Sequence, residues 1–236
     1  MRETKKMIRL SYRLIGTLLM AGGAFVPPIA QAEAPPNVEQ AVQAAMAYHD
    51  TGAYQHEFDA QLKRAQQDVE RERLHVQNPA IVLDIDETTL SNWPAMKANH
   101  LGYVSEGACD HLPKGPCGED AWEERAEAPA FAETQALIKQ AQAHNVAVFF
   151  VTGRSEKFRR ATEENLHKEG ISGWKHLYMR AIGDHRPAAA YKTPLRAEIE
   201  QQGYTILANL GDQESDLNGG HALHRYRLPN PYYYIP

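Results

Sequence analysis

The chain has 236 residues, with 25 Lys and Arg against 30 Asp and Glu and a hydrophobic fraction of 43%. That length suits one compact domain with an added element, and the balance of apolar and charged residues excludes a disordered or fibrous chain. Its two cysteines, Cys109 and Cys117, are too few for a zinc site without help from histidine.

Residues 1–32 read as an export signal. Lys5, Lys6, Arg9 and Arg13 form a basic segment, residues 14–26 an apolar run, and Ala30-Gln31-Ala32 places small residues where a signal peptidase reads. The run is shorter than the ~20 residues that span a bilayer and contains Gly16, Gly22 and Gly23, which argues against a membrane anchor. Cleavage after Ala32 removes five basic residues and one acidic residue, leaving 20 basic and 29 acidic, a net charge of −9. So acidic a body repels a polyanion, so a nucleic acid polymer is not an expected partner. A small phosphorylated substrate needs only local positive charge.

Residues 33–78 are rich in Ala, Gln, Glu and Lys. Val38, Ala41, Val42, Ala45 and Met46 recur at helical spacing, as do Phe58, Leu62, Ala65 and Val69, so two helices are expected, broken near Asp50-Thr51-Gly52. Residues 80–83, Ala-Ile-Val-Leu, form an apolar run without alternation, typical of a strand buried on both faces. Residues 90–127 are irregular and rich in Gly, Pro and aromatic residues. Cys109 and Cys117 fall in this stretch, and an exported chain would favour a disulfide between them over two free thiols or a metal clip with His111. Residues 129–144 read as an amphipathic helix and 146–151 as a second buried strand. Helix is expected again over 155–168, a weaker strand over 177–179, a helix from Pro194 to about 202, and a strand over 204–210. Strands alternating with helices predict an α/β fold, a Rossmann-like parallel sheet flanked by helices.

Ligands of such sheets bind outside the carboxyl ends of the strands. Those ends carry Asp84-Ile85-Asp86-Glu87-Thr88, Thr152-Gly153-Arg154 and Gly211-Asp212 through Asp216, with Lys192 just before a predicted helix. A carboxylate can attack phosphorus to give an acyl phosphate that water later cleaves. Like charge opposes that attack, so a divalent cation and cationic side chains must offset it. Asp84, Asp212 and Asp216 offer the hard oxygen ligands that Mg²⁺ prefers. Asp86, two residues further on, is placed to exchange a proton with the leaving alcohol and the attacking water. Taken singly, each of these residues reads as well as a helix cap, a turn or a solvated lysine; their joint occurrence at successive strand ends does not.

The run Ile81-Val82-Leu83-Asp84-Ile85-Asp86-Glu87-Thr88 resembles the first motif of the haloacid dehalogenase superfamily, DxDxT after a hydrophobic stretch. Phe149 to Arg154 resembles the second motif, Lys192 is placed for the third-motif lysine, and Gly211-Asp212 through Asp216 fits the GDxxxD form of the fourth. Within the superfamily the chain is most similar to acid phosphatases of the class B/class C group, which includes plant acid phosphatases and vegetative storage proteins. Its ending, Leu228-Pro229-Asn230-Pro231-Tyr232-Tyr233-Tyr234-Ile235-Pro236, resembles a tail of that group.

The resemblance implies a HAD-like domain over 33–236 with a small cap at 90–127, and an Mg²⁺-dependent phosphoric monoester hydrolase with nucleoside 5′-monophosphates among its candidate substrates. It implies Asp84 as nucleophile and metal ligand, and Asp86 as general acid/base that meets the metal through its backbone carbonyl. It also implies Thr152 and Lys192 on the phosphoryl oxygens, with Arg154 a secondary contact, and Asp212 as metal ligand, with Asp216 a further ligand or acting through water. In the cap, Trp93, Tyr103 and Trp122 read either as a stack for an aromatic leaving group or as the cap's own core. A phosphotransferase with the same intermediate and a non-catalytic storage or binding protein are the alternatives. The expected location is periplasmic or extracellular.

Overall fold

A computed structural model describes residues 35–236; the export signal expected at 1–32 lies outside the described residues. Asn37 caps the first helix, α1 (Val38–Asp50), by accepting a hydrogen bond from the Glu39 amide. Gly52, at φ 82°, makes the left-handed turn that ends it and starts α2 (Ala53–Glu72). Tyr54, Phe58, Leu62, Ala65 and Val69 form the buried stripe of α2.

The strands are β1 (Pro79–Leu83), β2 (Ala147–Ser155), β3 (His176–Arg180), β4 (Thr205–Gly211) and β5 (His224–Arg227). All pairs are parallel, in the order β3-β2-β1-β4-β5, which puts β1 at the centre. The lack of alternation in β1 has a direct cause. Ile81 and Leu83 pack into a large core shared with α2 and α5 (Ala132–Ala143), whereas Ala80 and Val82 pack with Phe149, Val151 and Ile199 of α7 (Ala188–Gln201) on the opposite face. Each Ile, Leu or Phe buried this way contributes roughly 1.5–3 kcal/mol.

Between β1 and α5 lie α3 (Trp93–Ala98) and α4 (Glu119–Arg125), joined by a loop closed by a Cys109–Cys117 disulfide. The Asn99 side chain grips the Cys117 backbone from both sides, donating to its carbonyl and accepting from its amide, each at 2.8 Å. Of the three cap aromatics, Trp122 is buried and Trp93 stacks on His49 of α1 with ring centroids 3.6 Å apart, which places both in the protein's own packing; Tyr103 is exposed.

Besides the short helices, which fall in stretches where none was expected, three elements depart from the sequence reading. β2 runs to Ser155, and a short 3-10 turn (Glu156–Phe158) separates it from α6 (Arg159–Lys168). α7 starts at Ala188, so Lys192 sits inside it and Pro194 is an interior proline, not the opening residue. A proline in mid-helix removes one hydrogen bond, and the burial of Tyr191, Lys192, Arg196 and Ile199 along the same helix offsets that loss. β5 carries little apolar signal, since Tyr226 alone of its four residues is buried. Among the described residues no helix is long and apolar enough to cross a membrane.

Candidate active site

Strand register brings the motif residues to one edge. Leu83 stands level with Phe150 on one side and Leu210 on the other, so Asp84, Thr152 and Asp212 all lie toward the same end of the sheet. The Asp84 amide still donates to Leu210 O at 3.0 Å, and Thr89 Oγ1 donates to Asp84 O at 2.7 Å, which fixes the backbone under the carboxylate. Pairing of β2 with β3 shifts between Val151 and Ser155, so Thr152-Gly153-Arg154 forms an irregularity of the sort that re-aims side chains at sites. There the Thr152 hydroxyl accepts the Arg154 amide at 3.1 Å.

Lys192 is buried with its Nζ 3.0 Å from Asp84 Oδ1 and 2.5 Å from Asp216 Oδ1. The contact with Asp216 is a hydrogen bond, whereas Asp84 Oδ1 is in ion-pair contact with Lys192 and accepts no hydrogen bond. Asp216 has both oxygens engaged, the second accepting the Gln213 amide at 2.9 Å. Gly211 is required by this arrangement, because a Cβ there would come within 2.7 Å of Asp216 Cγ. Beneath it, Arg196 is fully buried and donates to Asp216 O at 2.7 Å, to Gly220 O at 3.1 Å and to Asn218 O, clamping the short helix α8 (Glu214–Leu217) against α7.

Asp86 sits apart from this trio. Arg154 donates to it through Nε at 3.0 and 3.2 Å and through Nη2 at 2.7 Å, and Asn92 Nδ2 donates at 2.8 Å. Burial would raise the Asp86 pKa, but the Arg154 guanidinium and these hydrogen bonds more than offset it and hold the carboxyl below its usual range. The guanidinium of Arg154 is thus engaged with Asp86.

Asp84, Asp212 and Asp216 bring one carboxylate oxygen each within 4.8 Å of one another. Burial first, then the neighbouring carboxylates, push the Asp84 and Asp212 carboxyls above their ordinary range, with Lys192 opposing at Asp84. Crowded buried carboxylates, one with an unpartnered oxygen, fit a hard divalent cation. The structure therefore brings Asp84, Lys192, Asp212 and Asp216 into one cluster, with Thr152 and the Asp86–Arg154 pair at the same sheet edge.

Four supporting residues escaped the sequence reading. Arg196 is one. Asn92 takes the Trp122 indole N–H at 2.7 Å and gives its own backbone N–H to Glu87 Oε1 at 2.6 Å, so it ties cap, loop and Asp86 together. From the tail, Tyr233 donates its hydroxyl to the wholly buried Glu87 at 2.5 Å, and Asn230 donates to Asp212 Oδ2 at 2.7 Å. Arg196 lies one helical turn beyond Lys192 on the same face, and Asn230 and Tyr233 fall in the tail whose resemblance assigns them no role; Asn92 has no such signal.

Comparison with known proteins bears on the family and the fold. Acid phosphatase 1 of Solanum lycopersicum is 36% identical over 156 residues, covering 65% of this chain and 58% of that protein. Vegetative storage protein 1 of Arabidopsis thaliana is 31% identical over 156 residues, covering 66% and 55%. The chain thus matches somewhat over half the length of these relatives. The class C acid phosphatase structure from Bacillus anthracis superposes with a TM-score of 0.66 at 22% identity, covering 83% of this chain and 86% of that one, and so shares its fold. The family described as HAD superfamily, subfamily IIIB (acid phosphatase) matches residues 27–236, and the chain belongs to that family.

Proposed function

We propose that this chain is an exported, Mg²⁺-dependent acid phosphatase that hydrolyses small phosphate monoesters through an aspartyl phosphate on Asp84. The observation that carries the reading is the buried Asp84 carboxylate, whose Oδ1 accepts no hydrogen bond and lies 3.0 Å from the Lys192 ammonium. A binding module has no need of such a group.

In this reading Asp84 attacks phosphorus, and the bond from phosphorus to the leaving oxygen breaks as Asp86 delivers a proton to that oxygen. Water then attacks the phosphoryl group and gives its proton to Asp86, which frees Asp84 and releases phosphate. Lys192 and the Thr152 hydroxyl hold the phosphoryl oxygens. Asp84, Asp212 and Asp216, with the Asp86 carbonyl, would hold Mg²⁺, which when bound would supply positive charge between the two anions. We assign Arg154 to aiming Asp86, since its guanidinium already pairs with that carboxylate. An incoming phosphate offers Arg154 a second anion, which loosens its hold and lets Asp86 carry a proton.

Phosphate release from nucleotides, sugar phosphates and aryl phosphates, with and without chelation, tests the reading. Turnover is expected to vanish on chelation, return with Mg²⁺ and fall by at least about 10³-fold in Asp84→Asn. Turnover that survives thorough chelation would remove the metal from the account, and an unaffected Asp84→Asn would remove the nucleophile. The exported, processed chain is expected to begin at Glu33, which N-terminal sequencing reads directly.

A further inference from the structure

The two oxygens of Asp212 have unequal surroundings. Oδ2 accepts two short hydrogen bonds, from Gln213 Nε2 at 2.6 Å and from Asn230 Nδ2 at 2.7 Å. Oδ1 accepts a single long hydrogen bond, from the Thr88 hydroxyl at 3.4 Å. A carboxylate held by two donors on one oxygen cannot rotate freely, and its other oxygen is left to meet a cation. One of the two donors comes from the next residue. The other comes from the C-terminal tail, 18 residues along the chain.

The tail is shaped to present that donor. Asn230 Oδ1 accepts the Tyr232 amide at 2.9 Å and the Tyr233 amide at 3.4 Å, a side-chain turn around Pro231 that points the amide nitrogen at Asp212. Gln213 fixes the tail in return, since its Oε1 accepts the Ile235 amide at 3.0 Å while Ser215 Oγ donates to Ile235 O at 3.1 Å. Tyr233 adds its bond to Glu87, and Tyr232 packs against Trp93 with ring centroids 5.2 Å apart.

We infer that Asn230 is a positioning residue for the metal: its amide sets the rotation of Asp212, so the C-terminal tail is a working part of the metal site. The inference rests on the metal reading above and deepens it. Partners that orient metal-ligating carboxylates typically change metal affinity by 10- to 100-fold when removed.

The test uses the full chain, stripped of metal, with Mg²⁺ alone as the probe. Two variants separate orientation of Asp212 from folding of the tail. Asn230→Ser keeps a side-chain oxygen that can accept the Tyr232 amide, but its hydroxyl is one atom too short to take the place of the amide nitrogen at Asp212; Asn230→Ala loses both contacts. Calorimetric titration is expected to show Mg²⁺ binding weakened roughly tenfold in both variants, with the metal-free melting temperature of Asn230→Ser unchanged. Weakening in Asn230→Ala alone would assign Asn230 to tail folding and overturn the inference. Equal Mg²⁺ affinity in wild type and Asn230→Ser would also overturn it, leaving the metal site intact. A wild-type chain that takes up no Mg²⁺ would overturn the metal reading itself, and the inference with it.

Discussion

Lys192 holds its ammonium 3.0 Å from the Asp84 carboxylate, and both side chains are buried. Burial alone would lower the Lys192 pKa, but Asp216 and Asp84 more than offset it and raise the lysine above its usual value, so it stays charged. A permanent cation beside the proposed nucleophile is the group that would stabilise charge growing on the phosphoryl oxygens. Lys192→Met is therefore expected to lower kcat by roughly 10²–10³-fold, the effect of removing one such donor. Steady-state kinetics check this, and a loss below about tenfold would contradict the role.

Asn92 links the cap to Asp86 through the Trp122 indole on one side and the Asp86 carboxylate on the other. Asn92→Ala is expected to leave KM nearly unchanged and reduce kcat by roughly 10- to 100-fold, because Asp86 loses its aim while the phosphate site stays intact. A change in KM alone would show that Asn92 shapes binding instead.

Arg196 is a stability prediction. Its guanidinium serves the carbonyls of Asp216, Asn218 and Gly220 in a buried setting. Arg196→Leu leaves Gly220 O without a side-chain donor, while Asp216 O keeps Asn209 Nδ2 and Asn218 O keeps the Thr193 hydroxyl, and is expected to cost on the order of 2 kcal/mol in denaturant unfolding. A cost below about 1 kcal/mol would mean that water replaces the guanidinium without penalty.

Glu123 gives a pH dependence. Burial raises its carboxyl to about 8, with Arg154 opposing and Asp86, Glu119 and Asp120 adding to the rise, and its Oε2 is buried without a hydrogen-bond partner. A folded-state pKa above the unfolded one means the contribution to stability is full below the ordinary carboxylate range and is lost as pH climbs toward about 8. Glu123→Gln does not ionise. Its melting temperature is expected to exceed that of wild type by more at about pH 8 than at about pH 5, both proteins being metal-free. Equal differences at the two pH values would show that the carboxyl titrates normally.

The legible parts of the protein were those in which one local pattern has one physical cause. The run 80–83 reads as a central strand because β1 is buried on both faces, and Asp84 follows from where that strand must end. The start of α7 was misplaced because Pro194 carries the usual signature of a first helical turn, while the real start follows Pro187 with an Ala-rich turn that has no capping side chain. β5 escaped because His224, Arg225 and Arg227 stay outside the core at the sheet edge. Asn92 gave no local signal, and the tail that holds Asn230 resembled the family's without indicating what the asparagine does. Their partners, Trp122 and Asp212, lie 30 and 18 residues away, and only the folded chain brings them together.

The central claim is that phosphorus passes through Asp84. Rapid acid quenching during turnover of a ³²P-labelled monoester, followed by peptide mapping, tests it most directly. The account expects the label on the peptide that contains Asp84, dependent on Mg²⁺ and absent in Asp84→Asn. Label carried by a different residue would contradict it.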